Sequence, residues 1–102
     1  MSWETLVVGN FRFKKGISRE LKKKIKNELE LAVECKAKYS KKWKEFEIQD
    51  VNWVSHVKGE NIVEIIKKYK KHFEYVSISV FYLNEPHENI VLDNNELIVD
   101  LI

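Results

Sequence analysis

The side chains best suited to nucleophilic, acid–base or metal chemistry in this 102-residue chain are His56, His72, His87 and Cys35. The histidines are far apart and form no H-x-x-x-H or His-carboxylate spacing, so no metal ligand set is read from them. Ser55 and His56 are adjacent on an extended run, where successive side chains point to opposite faces, so they do not make a nucleophile and its base. His87-Glu88 falls in a turn and meets Asp93 or Asp100 only if the fold brings them together. Cys35 is the single cysteine, which excludes an internal disulfide and a thiolate cage for zinc, favours a reducing compartment, and reads as a small packed hydrophobe. The chain is therefore expected to be non-enzymatic, with no catalytic residue, metal or cofactor; the enzymatic alternative, a small nuclease or hydrolase, requires His56 or His87 to converge with carboxylates in a cleft.

Charge is the stronger signal. Residues 1–74 carry 18 basic and 11 acidic side chains, net +7, whereas residues 75–102 carry five acidic and no basic ones, net −5. Such asymmetry bears on partners rather than on fold. Of the basic residues only Arg12 and Arg19 are arginine, and arginine's planar fork is the better reader of guanine edges, so sequence-specific DNA reading is not expected. Sequence-tolerant nucleic-acid binding is the alternative expectation, through Lys22, Lys23, Lys26, Lys67 and Lys71 with Trp43 stacking on bases. The competing account of these lysines is an ordinary solvated helix face with Lys24-Glu28 and Lys26-Glu30 pairs.

The elements that position these groups follow from periodicity. Thr5–Lys14 alternates as a strand, with Val7, Phe11 and Phe13 on one face and Leu6 and Val8 on the other. Ser18 is placed to cap a helix running to about Lys38, whose stripe holds Leu21, Ile25, Leu29, Ala32 and Tyr39. Trp43–Val57 is strand-like but changes phase near Gln49-Asp50. A straight strand of that length would be about 50 Å long, so a bulge or a hairpin is expected there, with two strands preferred. Asn61 and Glu64 suggest the start of a second helix, and Ile62, Ile65, Ile66, Tyr69 and Phe73 its apolar face. Tyr75–Leu83 alternates strictly, Asn84–Asn89 is a turn, and Ile90–Leu92 and Leu97–Ile102 bracket a hairpin turn at Asp93–Glu96. The fold class expected is α+β, a ferredoxin-like two-layer sandwich of order βαββαβ plus a C-terminal hairpin, with two helices on one face of a mainly antiparallel sheet. Residues 1–102 form one domain.

Leu6-Val7-Val8-Gly9-Asn10-Phe11, followed by a helix from Ser18, resembles the opening of RNA-recognition-motif domains. Val51–Ile66 has the general shape of their third strand and second helix. The resemblance covers roughly a quarter of the chain and implies topology more than RNA binding. Val7 stands at the family's first stacking aromatic, and its glycine-and-aromatic signature is missing from Val51–Val57.

Two further readings concern location and partners. Met1–Thr5 lacks a basic segment leading into an apolar one, and no apolar run nears the roughly 20 residues that span a bilayer, so a cytoplasmic protein without membrane contact is expected. The run Leu97-Ile98-Val99-Asp100-Leu101-Ile102 stays apolar to its end and must be covered, by its own sheet or by a partner. Phe81, Leu97, Val99 and Leu101 are therefore the candidate residues for binding a protein partner or a second copy.

Overall fold

The computed structural model describes residues 5–49, 57–83 and 85–101. Six strands and two helices follow in the order β1 (Thr5–Phe13), α1 (Arg19–Val33), β2 (Ala37–Ser40), β3 (Glu45–Gln49), α2 (Gly59–Lys68), β4 (Phe73–Tyr82), β5 (Glu88–Asp93) and β6 (Glu96–Leu101). The strands form one sheet in the order β2-β3-β1-β4-β5-β6. Every neighbouring pair is antiparallel. The chain is thus α+β, and β1 lies centrally between β3 and β4.

Alternation along β1 and β4 builds the core. Val7 and Phe11 of β1, Ile48 of β3, Val76, Ile78 and Val80 of β4, and Ile90 and Leu92 of β5 are buried against Ile25, Leu29 and Val33 of α1 and Ile62 and Ile66 of α2. One sheet face therefore carries both helices, giving two layers. Phe11 stacks on Phe46 at 5.1 Å and meets Phe13 and Phe73 edge-on at 5.6 and 6.0 Å, an arrangement aromatic rings prefer over face-to-face contact in register. Burying a side chain such as Phe11 contributes about 1.5–3 kcal/mol. At Gly9 the strands β1 and β4 come so close that a Cβ would lie 2.3 Å from the Ser77 carbonyl oxygen.

Several expectations are corrected. Ser18 does cap α1, its Oγ accepting the Leu21 N–H at 3.2 Å, but the helix stops at Val33 rather than near Lys38. Glu34 turns left-handed, with φ 53° and ψ 36°, and the Glu30 carboxylate accepts the Ala37 N–H at 2.7 Å. That bond draws the chain into β2, so Tyr39, expected on the helical stripe, is an exposed strand residue edge-on to Phe46. A hairpin not expected joins β2 with β3, and Trp43 lies in its turn. The second strand expected over Val51–Val57 lies outside the described residues except for Val57, which is buried and donates its N–H to Thr5 Oγ1 at 2.9 Å.

Helix α2 begins two residues before Asn61. Lys58 occupies the N-cap without a side-chain bond, and the Gly59 N–H is instead met by the Tyr82 hydroxyl at 3.1 Å. A tertiary contact replaces the local cap. Phe73, expected to close the helical stripe, opens β4 after a 3₁₀ turn at Lys70–His72. No helix among the described residues is long and apolar enough to cross a membrane.

Candidate interaction surface at the C-terminal edge

The β5–β6 hairpin is built by its turn. Asn94 and Asn95 both have positive φ, 51° and 63°, the conformation of the tight turn whose twist matches antiparallel strands and which asparagine tolerates. The register then runs without a shift from Asp93↔Glu96 to Glu88↔Leu101. Leu97, Val99 and Leu101 lie opposite Leu92, Ile90 and Glu88 on the helix side, while Glu96, Ile98 and Asp100 lie opposite Asp93, Val91 and Asn89 on the open side.

Both sides of β6 leave apolar groups uncovered. Leu97 packs partly against the core, but Val99 is 43% exposed, Ile98 45% and Leu101 72%. Among the described residues β6 has no neighbour on its outer side. Between this edge and α2 runs a groove of about 1140 Å³ whose apolar lining includes Val63, Tyr82, Pro86, Val99 and Leu101. Its charged rim holds Glu60, Glu64, Glu85 and Glu88 with Lys58 and Lys67, so carboxylates outnumber cations there.

One end of the groove is fixed by a polar network. The Tyr82 hydroxyl accepts the Gly59 N–H and donates to the Glu88 carboxylate at 2.9 Å. Burial, with the neighbouring Glu88 and Glu85 carboxylates, pushes the Tyr82 phenol up to about 12. A Cβ on Gly59 would lie 2.5 Å from the Glu88 carboxylate oxygen, so glycine is what lets this carboxylate approach the start of α2.

Of the four residues expected to bind protein, Val99 and Leu101 line the groove and Leu97 supports them from the core. Phe81 is on the opposite sheet face, paired with Leu6 and tilted against His87 at a centroid distance of 4.8 Å. Sequence reasoning missed Ile98, Val63 and Tyr82. For Ile98 and Val63 a signal was present: each is an aliphatic side chain set off the main stripe of its own element.

The lysines of the alternative site lie in the helix layer. Lys23, Lys67 and Lys71 are exposed and Lys22 and Lys26 half-buried. Lys26 lies 3.7 Å from Glu30 and 5.8 Å from the centre of the Phe46 ring. Glu28 is taken up by the other helix: Lys68 Nζ approaches at 3.1 Å, and the Tyr69 hydroxyl donates a short hydrogen bond to the same carboxylate. The Tyr69 bond, aided by Lys68, holds the Glu28 carboxyl below its ordinary range, and Glu28 in turn holds Lys68 above its own. Trp43 is 56% exposed, with Lys42 Nζ 5.1 Å from its ring.

Cys35 is half-buried and packs against the core, its Sγ 3.6 Å from the Gln49 carbonyl. His56 lies outside the described residues. No group of three or more His, Cys, Asp or Glu side chains able to hold a metal ion occurs among the described residues. Comparison of the chain with protein family models, with curated proteins and with solved structures found no match.

Proposed function

We propose that this chain is a small, non-enzymatic, cytoplasmic interaction module that binds a protein partner, or a second copy of itself, through its C-terminal hairpin. The observation that carries the reading is the edge strand β6, whose outer side has no neighbour among the described residues, with Ile98, Val99 and Leu101 each more than two-fifths exposed. Edge strands present unpaired N–H and C=O groups, and apolar side chains beside them mark recognition surfaces. The opposite edge makes the contrast. There β2 is four residues long and carries Lys38, which are features that discourage pairing. We read the scaffold as ferredoxin-like, with β3 set between β1 and β2 and β4 on the other side of β1; β5 and β6 extend that pattern beyond four strands.

Val99→Lys is the test. The side chain is already 43% exposed, so the substitution should cost less than about 1 kcal/mol of stability while placing a charge in the groove. Loss of self-association in sedimentation, or of a purified partner in pull-down, is expected. A variant that folds and retains both removes the hairpin from consideration.

A second reading has its own observation: Trp43 is exposed with Lys42 above its ring, and the helix layer carries Lys22, Lys23, Lys67 and Lys71. That combination suits sequence-tolerant binding to a phosphate backbone with base stacking. Lys26 and Lys68 are already engaged by Glu30 and Glu28, which leaves fewer unengaged cations in that layer. Absence of retention on an oligonucleotide column at low salt would dismiss it.

A further inference from the structure

Resting on the hairpin reading, we infer that the partner of β6 is an extended peptide in which apolar and basic residues alternate, added to the sheet as a seventh strand. The two sides of β6 differ in kind. On the helix side Val99 and Leu101 face the groove with Val63 of α2. On the open side Glu96 and Asp100 flank Ile98, and Asp93 lies opposite Glu96.

A strand paired with β6 points alternate side chains to these two sides. Apolar residues then enter the groove, where they meet Val63, Val99 and Leu101. The residues between them lie beside Glu96 and Asp100, and cations are the complement. No lysine or arginine follows Lys71 in the chain, so the hairpin supplies no countercharge of its own. Main-chain hydrogen bonds to the strand edge give affinity in this mode, and the alternating pockets give specificity.

A second copy fits less well. Pairing β6 with β6 antiparallel brings two strands that each hold Glu96 and Asp100 and no cation. Pairing β6 with the β2 of a second copy supplies Lys38 against those carboxylates but offers only four residues against six.

The probe is the capped peptide Lys-Val-Lys-Val-Lys-Val, titrated into the full chain and followed by amide chemical shifts and fluorescence anisotropy. Three controls separate the contributions: Glu-Val-Glu-Val-Glu-Val, Lys-Ser-Lys-Ser-Lys-Ser, and the first peptide with alternate amides N-methylated. The expected result is saturable binding with shifts centred on β6, each control at least about tenfold weaker, and weakening with added salt. The double variant Glu96→Lys, Asp100→Lys is expected to reverse the preference in favour of the glutamate peptide. Val99→Lys is expected to abolish binding, with Leu101→Lys replacing it if Val99→Lys fails to fold.

No saturation by about 1 mM, or equal affinity for the lysine and glutamate peptides, overturns the inference. If the peptide fails while Val99→Lys still alters self-association or loses a purified partner, the hairpin surface stands and the peptide chemistry falls. A mass that rises with concentration and is reset by Val99→Lys gives the edge to a second copy and likewise overturns the peptide. If the peptide binds equally to wild type, Val99→Lys and the charge-reversed variant, the contact is elsewhere and both readings fall.

Discussion

Tyr82 is the side chain in which fold and candidate site meet. Its ring belongs to β4, its hydroxyl accepts the first N–H of α2 and donates to Glu88 on β5, and its edge lines the groove. Tyr82→Phe leaves the Gly59 N–H and the Glu88 carboxylate without that partner, and should destabilise the protein by about 1–2 kcal/mol in urea denaturation. The phenol is raised in the folded state to about 12 from an ordinary value of 10.0. A raised group contributes stability that is complete below its unfolded value and is lost as pH climbs through the folded one. The wild type should therefore weaken between about pH 10 and 12, and phenolate absorbance should show a tyrosine step at the upper end. Tyr82→Phe is expected to remove that step. A spectrum in which Tyr82→Phe leaves the upper end unchanged would contradict the desolvated hydroxyl.

The elements show where local pattern was sufficient and where it was not. Strands β1 and β4 were legible because both are central, and burial on one face enforces alternation at Val7, Phe11, Val76, Ile78 and Val80. The β5–β6 hairpin was legible from Asp93-Asn94-Asn95-Glu96, whose asparagines accept positive φ. Strand β2 was hidden: Tyr39 falls on the same helical stripe as Ala32, and Glu34 at the left-handed position is no glycine. At the end of α1 the N–H groups of left-handed Glu34 and of Cys35 return to the Glu30 carbonyl, and a contact seven residues long runs from the Ala37 N–H to the Glu30 carboxylate, which periodicity does not encode. The start of α2 escaped for the same reason, since its cap comes from Tyr82. The groove was half legible, through Val99 and Leu101 but not through Val63 of a distant helix. The α1–β2 junction can be tested directly. Glu30→Ala removes the acceptor for Ala37 and the partner of Lys26, with an expected loss of about 1–3 kcal/mol and faster hydrogen exchange at the Ala37 amide. Glu30→Gln keeps an acceptor and should restore part of that protection. Unchanged exchange in Glu30→Ala would mean that the β2–β3 pairing alone sets the helix end.

Across the whole molecule the charge asymmetry becomes an arrangement in space. The sheet runs from β2, with Lys36, Lys38, Lys41 and Lys42 in or beside it, to β6, with Glu96 and Asp100. Those two edges are separated by about 24 Å at the usual strand spacing. Lys22, Lys23 and Lys71 do not line the groove, and exposed charges are screened beyond about 8–10 Å in physiological salt, so those lysines and the hairpin should act as independent sites. Independence is testable with two sets of substitutions. Lys22→Gln, Lys23→Gln and Lys71→Gln neutralise the helix layer while sparing Lys67, which lines the groove. The triple variant should reduce low-salt retention on an oligonucleotide column and flatten its salt dependence, without altering binding at the hairpin. Val99→Lys should do the reverse. In the combined variant each loss should match that of its own single set to within about 0.5 kcal/mol, as for distant sites that share no contacts. Coupling above about 1 kcal/mol would show that lysines and hairpin belong to one continuous surface, because a phosphate-bearing ligand reaching both is the simplest way for neutral glutamines in the helix layer to be felt at Val99.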